Sequence, residues 1–154
     1  LPLRAGDHAV VLSYSPVMLI GGGRVLLSRC RRSRELTEGE CMLYAALESG
    51  DIAGGVGAWL ALQTLPFTAA DVTAALDLVA GEAEAALREL VAKGAACALA
   101  GSDGSLYADA SALDAAMAQF DLGESVIVTM DEQADIPCKH GVVHAVPAWK
   151  WLLS

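Results

Sequence analysis

The sequence predicts an α+β fold, because short apolar runs typical of strands come first and helical apolar spacing begins at Thr37. Three runs, at residues 8–13, 17–20 and 24–28, predict an N-terminal antiparallel meander of three strands. Helical patterns and a hairpin follow. Two short helices separated by a glycine and followed by a hairpin are typical of a winged helix-turn-helix.

Tight turns are expected between the three strands. Tyr14-Ser15-Pro16 separates the first from the second, and the glycine triplet at residues 21–23 separates the second from the third. The third strand leads into a basic cluster, residues 29–34, which contains four of the ten basic residues of the chain.

The first predicted helix begins at Thr37, which forms a capping box with Glu40, and it ends at Gly50. Its expected buried stripe consists of four residues at helical spacing: Met42, Leu43, Ala46 and Leu47. The glycine-rich segment 51–65 follows, and its apolar second half predicts a short helix that packs over the core.

The next two helices and the hairpin carry the helix-turn-helix pattern. Thr68 and Asp71 cap the first helix, and Gly81 separates it from the second. Five residues give the second helix a continuous apolar face: Ala83, Ala86, Leu87, Leu90 and Val91. The following strands are expected to turn at Asp103-Gly104, because glycine adopts positive φ readily.

Beyond the hairpin we expect one helix, one strand and an extended tail. Leu113, Ala116, Met117 and Phe120 define the helix, and residues 125–130 form the strand. The tail lacks a clear period, and the alternation of Trp149 and Trp151 would place both on one face of an extended segment. The predicted division is a recognition domain at 1–109, a packed helix and strand at 110–130, and a C-terminal tail at 131–154.

Composition and charge limit the classes of function. No apolar run approaches the roughly 20 residues of a membrane-spanning helix, and the N-terminal residues lack the pattern of a signal peptide, so we expect a cytoplasmic protein. The four cysteines are scattered without a CxxC motif and are expected to be free thiols. A net charge of −9 disfavours nucleic acid as a partner.

The second helix of the pair is a poor match to DNA. Its outward positions hold three glutamates against two cations, for a net charge of −1: Glu82, Glu84, Ala85, Arg88, Glu89, Ala92 and Lys93. The hairpin adds Asp103 and Asp109 and no cation. A reading helix needs cations toward phosphates and amide or basic side chains toward bases. We therefore expect a polypeptide partner, although a helix that merely completes a core has the same spacing.

This order of elements resembles the precursor-peptide recognition element of bacterial ribosomal-peptide biosynthesis. That family includes the pyrroloquinoline-quinone peptide chaperone and the leader-binding domains of azoline cyclodehydratases. The resemblance lies in residues 17–50 and 67–99 and covers roughly residues 8–100, with the insertion 51–65 and the segment beyond the hairpin as departures. It implies a non-catalytic module, without a cofactor, that binds a leader peptide and presents it to a separate modifying enzyme.

The resemblance also implies a binding site. The peptide would add as a strand beside the third predicted strand and lie against the second helix of the pair. The implied binding residues lie on the strand, the basic cluster and the helix edge: Arg24, Val25, Leu26, Leu27, Arg29, Arg31, Arg32, Arg34, Glu84, Arg88 and Val91. The basic cluster would pair with acidic leader residues, and a solvated basic turn fits the sequence equally well.

Two other classes of function stay open. A winged-helix transcriptional regulator would contact DNA through the basic cluster. A metal-dependent enzyme would use Cys138, His140 and His144, whose C-x-H-x3-H spacing can suit zinc or copper.

An enzyme of another kind is suggested by the segment LYADASALD. It is similar to the catalytic segment of organomercurial lyases, in which a cysteine precedes Ala-Leu-Asp and cleaves a carbon–mercury bond with help from the aspartate. Here Ser111 replaces that cysteine. Asp114 is better explained as the first-turn acid of a helix capped by Ser111.

Overall fold

The computed structural model describes residues 3–30, 32–63, 66–101, 104–130 and 133–153. Within these ranges the chain forms six helices and eight strands, and the strands make three small sheets. Two apolar cores lie between them. The predicted α+β class is confirmed, and the described residues include no helix of the length and apolarity needed to cross a membrane.

The N-terminal sheet is a hairpin of β1 (His8–Ser13) and β2 (Met18–Arg24). The predicted meander is wrong, because the glycine triplet lies inside β2 and residues 25–28 form no strand. The triplet continues the strand because its residues pair with β1, where Ala9, Val10 and Val11 stand opposite and supply the side chains.

The first helix, α1 (Glu38–Ser49), begins and ends as predicted. The Thr37 hydroxyl accepts from the Glu40 amide at 3.2 Å, and the Glu40 carboxylate accepts from the Thr37 amide at 2.8 Å. Gly50 adopts a left-handed conformation with φ 77°, which a side chain would disfavour. Of the expected stripe, Leu43 is buried, whereas Met42 is 63% exposed and that assignment is wrong.

The middle of the chain alternates helices with a second sheet. Its elements are α2 (Ile52–Ala61), β3 (Phe67–Thr68), α3 (Ala69–Leu76), α4 (Glu82–Ala92), β4 (Ala96–Gly101) and β5 (Gly104–Asp109). The strands pair antiparallel in the order β3-β5-β4. The capping box of Thr68 and Asp71 and the hairpin of β4 and β5 are confirmed, while Asp103 at the expected turn lies outside the described residues.

The first core is formed mainly by the four helices. Its fully buried side chains come from three of them: Val56 on α2, Val72 on α3, and Ala83 and Leu87 on α4. The predicted apolar face of α4 is confirmed, since four of its five residues are buried and Val91 is half-buried. Burial of this face, more than helix propensity, fixes α4 in place.

The C-terminal part folds around a second core, and the prediction of an extended tail is wrong. It consists of α5 (Ala110–Gln119), β6 (Glu124–Thr129), β7 (Ala134–Cys138), β8 (Gly141–Pro147) and α6 (Ala148–Trp151). β8 lies in the centre of its sheet, parallel to β6 and antiparallel to β7. Proline is compatible with β7 because that strand is at an edge. Met117, Ile136, Val143 and Ala145 form the core.

Three smaller predictions about this part are also wrong. Asp109 caps α5 by accepting from the Ala112 amide, whereas Ser111 lies inside the helix. Phe120 is exposed instead of buried. Trp149 and Trp151 lie on the short helix α6, so they do not share the face of a strand.

Candidate functional site

The residues of the implied peptide groove lie in different places. Arg24, Val25 and Leu26 line a cavity of about 320 Å³. Leu27 and Arg29 line a separate, larger depression of about 710 Å³ beside α1. On α4, Glu84 and Arg88 lie on the exposed face, and Val91 lines a third cavity. In the basic cluster, Arg32 and Arg34 are exposed, and Arg31 lies outside the described residues.

The 320 Å³ cavity lies where β2 ends, against the junction of α1 with α2 and the end of α3. The Arg24 guanidinium donates to the Glu48 carbonyl oxygen at 3.0 Å, which satisfies the carboxyl end of α1. The Asp77 carboxylate accepts from the Ser28 amide at 2.6 Å and the Ser28 hydroxyl at 2.8 Å. These bonds lower the pKa of Asp77 and fix the segment that follows β2.

The β1–β2 hairpin exposes apolar side chains on both faces. Seven of them are more than half exposed: Val10, Val11, Leu12, Val17, Met18, Leu19 and Ile20. So many exposed apolar side chains on one short hairpin are uncommon on proteins without a partner. An isolated two-stranded hairpin is also only marginally stable in water. The hairpin is therefore an exposed apolar surface that a binding partner would cover and stabilise.

The outer edge of β2 is free of strand partners within the described part of the chain. The Val25 amide donates to the Asp7 carbonyl and the Val25 carbonyl accepts from the Gly6 amide, both at 2.8 Å, so Val25 faces β1. Backbone groups alternate in direction along a strand. The amides of Gly22 and Arg24 consequently face the open edge.

The outward face of α4 is acidic and its cations are already engaged. Lys93 donates to the Glu89 carboxylate, and this hydrogen bond raises the pKa of Lys93. Arg88 donates from Nε to the Glu84 carbonyl at 3.2 Å. A phosphate backbone approaching this face would meet Glu84 and Glu89 with little free positive charge.

The predicted metal ligands are not brought together. Cys138 pairs with Gly141 at the turn of the β7–β8 hairpin, while His144 pairs with Asp135 further along it. His144 Nδ1 lies 2.7 Å from Asp135 Oδ1, and His140 Nδ1 lies 3.9 Å from Asp114 Oδ1. Among the residues that the structure describes, no group of three or more His, Cys, Asp or Glu side chains is arranged to hold a metal.

A cluster that the sequence reasoning missed lies between the second and third sheets. Cys97 on β4, Asp114 on α5 and Cys138 at the end of β7 line one cavity of about 340 Å³. The Lys139 amide donates to Asp114 Oδ1 at 2.7 Å, which holds the end of β7 against α5. Burial raises the pKa of both thiols, and Asp114 raises them further. We call these three side chains the thiol cluster.

The sequence matches no protein-family model, and a search of curated proteins finds no significant relative. The features that bear on function are therefore the hairpin, the cavities and the thiol cluster.

Proposed function

We propose that this chain is a winged-helix peptide-binding module that captures an extended peptide by strand addition and presents it to a separate modifying enzyme. Support for the winged-helix assignment comes from the order α2, β3, α3, α4, β4, β5, in which β3 pairs with the hairpin. The acidic α4 favours a polypeptide partner over DNA.

The single observation that carries the proposal is the open edge of an apolar two-stranded sheet. The chain supplies two strands where three were predicted, and the ligand would supply the third. Strand addition satisfies backbone donors and acceptors along β2 and gives affinity, while pockets for alternate side chains give selectivity. Three strands with a covered apolar face are also markedly more stable than two.

The neighbouring cavity provides a pocket of the required kind. Val25 and Leu26 follow β2 directly in sequence and line this cavity. A peptide strand paired with β2 would therefore pass beside the cavity. Arg29, Arg32 and Arg34 are exposed immediately downstream and offer positive charge to acidic peptide residues. The proposed site therefore consists of β2 and the cavity, without α4.

A displayed library of random peptides, selected against the full chain, tests the proposal. Amide hydrogen exchange should show that a selected peptide protects Gly22 and Arg24, because their amides face the ligand strand. Selected peptides that leave both amides exchanging freely would show that β2 is not the site. A labelled DNA duplex in the same assay covers the regulator alternative, which predicts binding that weakens steeply with salt.

Two matched variants make the test sharper. Leu19→Lys places a charge on the hairpin, where it discourages strand pairing, and should weaken peptide binding at least tenfold. Val79→Lys makes the same change at a residue of similar exposure, 68% against 70%, in the loop between α3 and α4. Binding to this control should be unchanged.

The thiol cluster favours one second candidate, an enzyme of the organomercurial-lyase kind. Ser111 takes the position of the expected cysteine, and its hydroxyl donates to Asp109. The thiols of Cys97 and Cys138, however, line the same cavity as Asp114. The test is release of benzene from a phenylmercury salt in the presence of a small thiol. This candidate is supported if the wild-type protein releases benzene and the Cys138→Ser variant does not. If the wild-type protein releases no benzene, the candidate is rejected.

A further inference from the structure

Two thiols from separate sheets face one cavity, although 40 residues separate them in sequence. Cys97 comes from β4 and Cys138 from the end of β7, and both are half-buried and pack against the second core. We infer that Cys97 and Cys138 form an intramolecular disulfide when the protein is exposed to a peroxide, and that this bond joins the second sheet to the third. The inference is independent of the proposed peptide binding.

The proximity of the two thiols is supported in two ways. First, the strands that carry them are in contact, because β4 packs against β7. Second, both side chains line the same cavity, and the pKa of Cys97 is raised first by burial and then by the electrostatic effect of Cys138. The bond between the Lys139 amide and Asp114 holds the Cys138 end of β7 over this cavity.

The chemistry needs only a peroxide as oxidant. One cysteine, as its thiolate, attacks a peroxide oxygen, breaks the O–O bond and becomes a sulfenic acid. The second sulfur then attacks the first, forms the S–S bond and expels the sulfenic oxygen as water. Each cysteine loses one hydrogen atom. Hydrogen peroxide accepts the two electrons and is reduced to two water molecules. Raised pKa values keep both thiols mostly protonated at neutral pH, so the reaction should be slow there.

The other two cysteines provide a clean background. Cys30 and Cys41 are exposed and lie in the N-terminal half, so Cys30→Ser/Cys41→Ser removes them without opening either core. Only Cys97 and Cys138 then remain in the full chain. This variant also keeps both half-buried thiols, so a negative result cannot come from substituting them.

The test is oxidation of this variant with hydrogen peroxide at mildly alkaline pH, followed by intact mass and peptide mapping. We expect a mass loss of about 2 Da, a crosslinked peptide that contains both cysteines, and full reversal by a dithiol reductant. The protein should migrate as a monomer on a non-reducing gel. Sulfinic or sulfonic acids without a crosslink, or disulfide-linked dimers, would overturn the inference.

Discussion

Leu19 and Leu87 offer a comparison of the same residue type in opposite environments. Leu19 lies on β2 and is 70% exposed, whereas Leu87 lies on α4 and is fully buried in the first core. The change is to alanine in each case. If the hairpin is uncovered in the free protein, the two substitutions must lower the free energy of unfolding by very different amounts.

The expected magnitudes follow from burial. A fully buried leucine is worth about 1.5–3 kcal/mol, and only about 30% of the Leu19 side chain is hidden, so Leu19→Ala should cost less than about 1 kcal/mol. Leu87→Ala removes the same atoms from a packed core and leaves a cavity. Comparable substitutions cost about 2.7–5 kcal/mol.

Urea denaturation followed by circular dichroism measures both free energies of unfolding in one experiment. The slope of the transition should be equal for the two variants, because neither changes the surface exposed on unfolding very much. A cost above about 2 kcal/mol for Leu19→Ala would refute the reasoning. It would mean that the hairpin is already covered in the free protein and is not an open edge.

Three further predictions concern local structure, each measured by urea denaturation. Thr68→Ala removes the capping box of α3 and should cost about 1 kcal/mol. Gly141→Ala should cost more than about 3 kcal/mol, because its Cβ would lie 1.9 Å from the Gly123 carbonyl oxygen and backbone cannot move aside cheaply. Asp77→Asn should be less stable than the wild type at pH 6. Hydrogen bonds from Ser28 hold the folded pKa below the unfolded value of about 3.9, so this difference should persist above about pH 4 and vanish as acid protonates the folded carboxylate.

The parts of the fold that could be predicted are those whose information is local. A capping box needs four consecutive residues, and Thr37 and Thr68 both form one. The buried stripe of α4 needs three helical turns, and its four innermost residues are buried. The hairpin of β4 and β5 pairs neighbours in sequence. In each case the physical cause lies within about a dozen residues.

The parts that could not be predicted depend on distant partners. The glycine triplet became strand because β1 pairs with it, although three glycines alone favour a turn. β8 lies between β6 and β7, and its parallel pairing with β6 joins residues that are eighteen positions apart in the sequence. Cys97 and Cys138 line one cavity only because β4 packs against β7. Their spacing contains no signal of that contact.

The wrong turn at residues 21–23 and the wrong strand at residues 24–28 bear directly on the proposed peptide binding. Val25, Leu26 and Leu27 form an apolar run suited to a strand, yet Val25 only extends the pairing of β2 with β1 and the chain then turns toward the Ser28–Asp77 bonds. The run is instead used to line two cavities. Because this segment cannot pair beside β2, the outer amides of β2 stay available, and exposed Leu19 and Ile20 stay uncovered. The same departure that removes the predicted third strand thus creates the edge at which a peptide could supply one.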